Sequence, residues 1–382
     1  MEFDFTWLLW SLPLAFAAGW FASRFDLKQW RLESRSAPKA YFRGLNHLLN
    51  EQQDQAIDAF IEAVQNDPDT SELHFALGNL FRRRGDYDRA VRVHEHLLQR
   101  ADISNKDLDR AQHALAMDFL KAGLLDRAET ALVKLEGTAF EPEARLARLA
   151  LYERTRDWPQ ATAVAQLLED QHHGSFALRL AHYKCELAAE QQKLGQLPDA
   201  LVTLEALVAR YPQSARAWIA LADIRQSLGN TEGGLTALQK LTENSPQHLP
   251  LVAHSLAQWA RVCKRIDWAR ALLSSYQNTH VSSLDVTQAL VTLSPDLNTG
   301  RQLYIQHLQQ EPSLVAATLW LAGTRFGTED EEKKIKAALE RAGEPLKRYR
   351  CAACGFEARQ YFWHCPGCQG WDSYPPRRIE EL

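Results

Sequence analysis

Cysteine is scarce through most of this 382-residue chain. Cys185 and Cys263 stand alone, and the other four fall within the last 32 residues. That distribution excludes an oxidised secreted scaffold, whose cysteines would be spread along the chain, and reads instead as metal ligation in a reducing compartment. Positive charge is not in excess either: 44 Lys and Arg against 48 Asp and Glu leave a net charge of -4. No basic field exists to attract nucleic acid. Catalytic signatures are lacking, with no G-x-S-x-G, phosphate loop, H-E-x-x-H or dinucleotide fingerprint. What is present is globular in composition, 46% hydrophobic and 24% charged, and long enough for one large core or about two to three ordinary domains.

From Phe5 to Ala22 the sequence reads FTWLLWSLPLAFAAGWFA, without a charge. As a helix it spans roughly 27 Å, near the minimum for a hydrocarbon core. Pro13 and Gly19 are tolerated in a membrane helix, and Trp7, Trp10 and Trp20 suit its interfaces. A cleaved signal peptide wants a positive start, whereas Glu2 and Asp4 precede the run, and Ala15-Phe16-Ala17 lies inside it. A buried core helix would show a polar face. The expectation is a transmembrane anchor over residues 1–23 and a basic spacer over 24–38. Arg24, Lys28, Arg31, Arg35 and Lys39 follow the span and no Lys or Arg precedes it. The positive-inside rule then places a single-pass protein with its C-terminal bulk in the cytoplasm.

The next three hundred residues repeat themselves. Leu77-Gly78-Asn79-Leu80-Phe81 with Gly85-Asp86-Tyr87-Asp88-Arg89-Ala90 is echoed by Leu115-Ala116, Phe119, Gly123 and Asp126-Arg127-Ala128. Later echoes are Leu187-Ala188, Gly195, Pro198-Asp199-Ala200 and Pro212, then Trp218, Leu221-Ala222, Gly229, Gly234 and Pro246; the first copy is Gly44, Ala56, Phe60 and Pro68. Small residues on the first helix, and Ala56, Ala90, Ala128, Ala161, Ala200 and Ala271 on the second, let paired helices approach; proline stops the second helix. Neither helix can bury its apolar face alone, so the units must stack. Copies around Leu149–Leu168 and Trp259–Ser275 diverge, and residues 283–312 and 313–342 are helix pairs by periodicity only. The pattern resembles the tetratricopeptide repeat, with roughly eight or nine pairs over residues 39–343. First-helix residues line the binding face of such arrays, which makes Phe75, Asn79, Arg82 and Arg83 the partner-binding candidates, expected to be exposed. Asn79 sits where many such repeats place a peptide-binding asparagine. Phe75 sits where carboxylate-clamping repeats carry lysine, which argues against such a clamp. Arg82 to Arg84 read first as a solvated helix end complementing the dipole.

Cys351-Ala-Ala-Cys354-Gly355-Phe356 and Cys365-Pro366-Gly367-Cys368 are two C-x-x-C pairs ten residues apart. Each can form a turn that points both sulfurs at one ion, with Gly355 and Gly367 supplying backbone freedom. Four thiolates close a tetrahedral site, so the ion, iron or zinc, is structural. Tyr361, Phe362, Trp363 and Trp371 are the expected miniature core, and His364 a spare surface residue. Tyr349-Arg350 and Pro375-Pro376-Arg377-Arg378 are positioned to rest on the last repeat. Cys185 and Cys263 read as packing residues, and His172-His173 as part of a polar connection. The module resembles rubredoxin-type metal folds, with a shorter insert between the pairs and Gln369 where glycine commonly follows. Its span is residues 349–376, with a tail over 377–382.

The order of parts, together with GNLFRRRGDYDRA and C-x-x-C-G-F … Y-x-W-H-C-P-x-C, resembles the lipopolysaccharide assembly protein B family of Gram-negative bacteria. The resemblance implies an all-α inner-membrane adaptor, not an enzyme. It would promote degradation of the UDP-acyl-N-acetylglucosamine deacetylase by the FtsH-type membrane protease. It would also gather other lipopolysaccharide-synthesis or membrane regulatory proteins. A general scaffold or co-chaperone, and a rubredoxin-type electron carrier, are the competing expectations.

Overall fold

A computed structural model describes residue 13 and residues 15–20, 39–66, 70–322 and 324–382. The expected spacer lies wholly outside them and the anchor for the larger part, and Pro68 is outside as well. Residues 15–20 are helical, and no helix among the described residues is long and apolar enough to cross a membrane.

The chain divides into two compact units, Met1–Arg156 and Asp157–Leu382. The first holds α1 (residues 39–49), α2 (Gln53–Asn66), α3 (Ser71–Arg84), α4 (Tyr87–Gln99), α5 (Asn105–Ala122), α6 (Leu125–Val133) and α7 (Glu141–Thr155). The second opens with α8 (Trp158–Asp170), α9 (Ala177–Lys193), α10 (Leu197–Arg210), α11 (Ala215–Ser227) and α12 (Thr231–Asn244). It continues with α13 (Leu249–Val262), α14 (Ile266–Thr279), α15 (Leu284–Thr292), α16 (Leu297–Gln310), α17 (Leu314–Ala322) and α18 (Glu329–Gly343). A two-residue antiparallel ladder follows, β1 (Tyr349–Arg350) on β2 (Glu357–Ala358), pairing Tyr349 with Ala358 and Arg350 with Glu357. The helices fall two by two along the sequence, at the upper end of the expected number.

The turn inside each pair explains both the glycines and their loss. Gly85, Gly123, Gly195 and Gly229 sit at φ of 90°, 77°, 78° and 79°. There the chain reverses and the next N–H reaches back to an open helix carbonyl, as Asp86 N–H does to Phe81 O at 2.9 Å. Arg156 and Lys264 take the same left-handed position at φ 60° and 57°, at a cost of about 1 kcal/mol each. These two turns belong to the copies that diverge in sequence. The divergence therefore removed the glycine and kept the geometry.

The small-residue rule holds at a fixed distance from each turn. Ala90, Ala128, Ala161 and Ala200 each lie four residues beyond the N-cap of their helix and are wholly buried. In α14 that position is Ala269, also wholly buried. Ala271, expected in this role, is exposed: two residues on, it points about 200° away around the helix.

Gly78 makes room for a polar core in the first unit. A methyl group there would meet the His94 ring at 2.5 Å. His94 is fully buried, and its Nδ1 lies 2.5 Å from Asp118 Oδ2. Asp118, equally buried, accepts from Arg82 Nη1 at 2.9 Å through its other oxygen. The three residues join α3, α4 and α5 with charge-assisted bonds beside the apolar contact of Phe75, Leu97 and Ala111. Replacing Asp118 by alanine leaves His94 and Arg82 without their shared acceptor and should cost about 3 kcal/mol. A denaturant midpoint unchanged from that of the parent would contradict this.

In the second unit the core runs continuously from Ala181 to Leu293, and His307 of α16 is buried beside it. Its Nδ1 meets the Ser282 hydroxyl at 2.8 Å. Burial holds this imidazole below its ordinary range, with Glu311 and Glu380 partly offsetting the effect. The folded chain thus keeps His307 neutral while the unfolded chain takes up a proton near pH 6.5. Its contribution is complete above that pH and is lost progressively as pH falls below it. His307→Gln should flatten the decline in melting temperature between pH 7 and 5 relative to the parent.

Candidate metal centre

The two C-x-x-C pairs form one turn used twice. Cys351 N–H donates to Phe356 O and Gly355 N–H to Cys351 O, both at 2.9 Å. Fourteen residues on, Cys365 N–H donates to Gly370 O and Gln369 N–H to Cys365 O, also at 2.9 Å. Gly355 sits at φ 77° and Gln369 at φ 58°. The left-handed position of the second knuckle therefore falls on Gln369 and not on Gly367. Gly367 sits in a tight space: a Cβ there would lie 3.3 Å from Phe356 Cβ and 3.4 Å from Cys354 Sγ.

The four Sγ atoms lie within 4.8 Å of one another. Cys351 and Cys368 are 3.8 Å apart and Cys354 and Cys365 3.7 Å. A tetrahedron with metal–sulfur bonds of about 2.3 Å has edges of about 3.8 Å, so the donor set fits one four-coordinate ion, iron or zinc. The thiols are already unequal. Burial opposes ionisation of Cys351, but hydrogen bonds from Ser373 and from the N–H groups of Cys354 and Ala353 bring it down to about 6. Cys354 accepts from Phe356 N–H, yet lost solvation and the three neighbouring sulfurs push it up to about 12. Sulfurs this close share protons until a cation takes their place.

Around the sulfurs the module buries Tyr349 and Tyr374, with Tyr361 against both. Tyr361 donates to Tyr374 O at 3.0 Å, and Tyr374 to Phe356 O at 3.2 Å. Trp363 and Trp371, expected inside this small core, turn outward onto the repeats instead. The indole of Trp371 lies between two imidazoles, His182 of α9 at 4.7 Å and His364 at 4.2 Å, each inclined by 18°. His364 is thus a stacking partner and not a spare surface residue. Asp372 reaches His182 Nε2 at 2.7 Å, Trp158 and Tyr183 meet Trp371 edge-on, and Trp363 faces His248 at 5.5 Å. A module of this size has too little apolar surface to satisfy two tryptophans internally.

The tail extends the seat. Arg378 makes a two-pronged pair with Asp285 of α15 at 3.0 and 3.1 Å and lies 4.2 Å over the Tyr349 ring. Glu381 accepts from Leu284 N–H at 2.6 Å, while Glu380 accepts from the N–H groups of Leu314 and Val315. Each glutamate fills unsatisfied donors at a helix start. The bracketing Arg378 rests on α15, one pair before the last repeat on which it was expected, the tail residue Glu380 reaches α17, and the indoles extend the contact back to α9.

The partner-face candidates part company. Phe75 is 1% exposed, packed with Leu97 and Ala111 under the Arg110 guanidinium at 4.1 Å. It is core: a bare aromatic ring at that register is drawn between successive pairs. Arg82 is held by Asp118, by Ala114 O and by Asn79, so it is a cross-repeat tie and not a solvated helix end. Asn79 is half-buried and Arg83 exposed. Cys185 is buried in the core, and burial pushes its thiol up to about 12. Cys263 packs against the same core, and His172-His173 form an exposed turn.

Stacked helix pairs with a four-cysteine knuckle seated on them define a tetratricopeptide-repeat protein carrying a rubredoxin-type module. Tetratricopeptide-repeat family models match residues 73–110 and 192–258, and the Rubredoxin metal binding domain matches residues 349–375. Over nearly its whole length the chain is similar to lipopolysaccharide assembly protein B of Escherichia coli (strain K12). The two are 31% identical over 381 residues, which is 96% of this chain and 97% of that one. The protein of the same name from Haemophilus influenzae is 26% identical over 387 residues, 97% of this chain and 98% of that one. The chain belongs to the lipopolysaccharide assembly protein B family.

Ligation and docking separate experimentally. Trp371→Ala should cost about 3 kcal/mol through the lost indole while the purified protein keeps its metal stoichiometry. Replacing Cys351 and Cys354 by serine should lower both metal content and melting temperature. An unchanged melting curve in the double serine variant would separate the metal from the stability of the second unit.

Proposed function

We propose that this chain is a membrane-tethered adaptor that regulates lipopolysaccharide synthesis, presenting the UDP-acyl-N-acetylglucosamine deacetylase to an FtsH-type membrane protease. The near-full-length kinship with two lipopolysaccharide assembly proteins B carries the reading. Tetratricopeptide arrays bind other proteins through their first-helix faces, and on this chain Asn79 and Arg83 are the candidates that remain open to contact. Cys351, Cys354, Cys365 and Cys368 are the ligands of a structural ion, whose work is to hold the second unit together. The adaptor moves partners, not electrons or protons.

The anchor is the uncharged run Phe5–Ala22, with the cations from Arg24 to Lys39 holding the C-terminal bulk on the cytoplasmic side of the inner membrane. Tethering confines the repeats to a thin layer where other membrane-associated partners are concentrated, and this raises encounter without any new contact. Deleting Met1–Arg24 should therefore lengthen the half-life of the deacetylase several-fold at native expression, while the truncated chain leaves the membrane fraction. Turnover that stays fast after the truncated chain has left the membrane would refute the tether. Charge reversal at Arg83 should weaken crosslinking to the deacetylase or to the protease in intact cells without changing the melting temperature.

A further inference from the structure

A cavity of about 450 Å³ lies in the second unit where the metal module meets α9, α11 and the turn Pro246–His248. Neither metal ligation nor the stacking of Trp371 accounts for it. One side is apolar, with Trp363, Tyr361 and Pro375 from the module, and Leu178, 54% exposed, stands on the repeat side.

The opposite end is rich in donors. Ala215 and Arg216 are the first two residues of α11, so their N–H groups have no partner within the helix. The cap residue Ser214 gives its hydroxyl oxygen to Ala217 N–H instead. Arg216 donates through Nη2 to Glu186 at 2.6 Å, and its Nη1 is buried without a partner. His182, 1% exposed, donates through Nε2 to Asp372, which leaves its Nδ1 a buried acceptor without a partner; Nδ1 of His248 is buried without a partner as well. The one carboxylate lining the cavity, Asp372, is thus already engaged. Buried polar groups in folded proteins are almost always paired, so the free Nη1 of Arg216, beside the open first turn of α11, asks for an acceptor that the chain does not supply.

The geometry points to a binding site for an apolar body that carries a carboxylate. The acid group meets Arg216 and the first turn of α11, and the body lies against Trp363 and Tyr361. A bare oxyanion would leave that wall uncovered and most of the volume unfilled. A neutral apolar ligand would leave the donors unanswered. The same chemistry is offered by the end of a polypeptide with an apolar last residue and by a small organic acid. The site stands apart from the adaptor reading, since it requires neither the membrane nor the protease.

The test uses the metal-loaded full-length chain. The probes are N-acetyl-leucine, N-acetyl-leucinamide, a ten-residue peptide ending in leucine as free acid or amide, and inorganic phosphate, followed by saturation-transfer NMR and calorimetry. The acid forms should bind at least about tenfold more tightly than the amides, and phosphate should not displace them. Binding of the peptide acid assigns the site to chain ends, and binding of N-acetyl-leucine alone assigns it to small acids; either supports the proposal. Arg216→Gln should weaken the acids by about tenfold and leave the amides unchanged. Ala352→Phe, at an exposed position lining the cavity, should block both acid and amide without altering any charge. Equal affinity for acid and amide, displacement by phosphate, or full binding to a folded Ala352→Phe variant would each overturn the assignment.

Discussion

The second unit depends on one stack of three rings, His182, Trp371 and His364. A module of four cysteines and a few tyrosines is too small to hide an indole, and a repeat helix exposing His182 has no reason to be apolar there. Brought together, the indole covers the imidazole, and Asp372 takes the ring nitrogen that would otherwise be buried without a partner. The sulfur knot reaches the same stack, because His364 is the residue immediately before Cys365. Metal site, stack and repeat are therefore one continuous piece of packing.

The two units use different means to the same end. In the first, successive pairs are joined by a buried polar relay from Arg82 through Asp118 to His94, with Gly78 giving the ring its space. Such a relay is directional and tolerates few substitutions. In the second, apolar packing runs without interruption from Ala181 to Leu293, and polar ties come from the far end of the chain, at Asp285, Leu284 and Leu314. The ties at Leu284 and Leu314 are helix caps supplied at a distance. Glu380 and Glu381 do for α17 and α15 what a neighbouring serine or aspartate does for other helices.

Much of this was legible in the sequence, since it rests on local rules. Paired helices, their glycine turns and the four-sulfur cluster follow from periodicity and spacing, and all three are present. What the sequence hid was where side chains go once surfaces meet. Phe75 reads as exposed from the sequence because a repeat register does not reveal which neighbour covers a ring. Trp363 and Trp371 read as interior because so small a module needs its aromatics for a core of its own. His182, Arg216 and His248 carry no local signal at all: their importance appears only when a segment far downstream lands on them. Ala271 shows the finer limit, a register slip of two residues in a copy whose turn had lost its glycine.

Repeat arrays ordinarily mature one unit after another, each complete once its neighbour exists. The pairing of His182 with Asp372 spans 190 residues, and the starts of α15 and α17 wait for Glu381 and Glu380. On the ribosome, this half of the molecule cannot close until residues 372–381 have emerged. A partner or chaperone that meets the nascent protein thus finds open helix ends and an uncovered α9 that the finished molecule never shows.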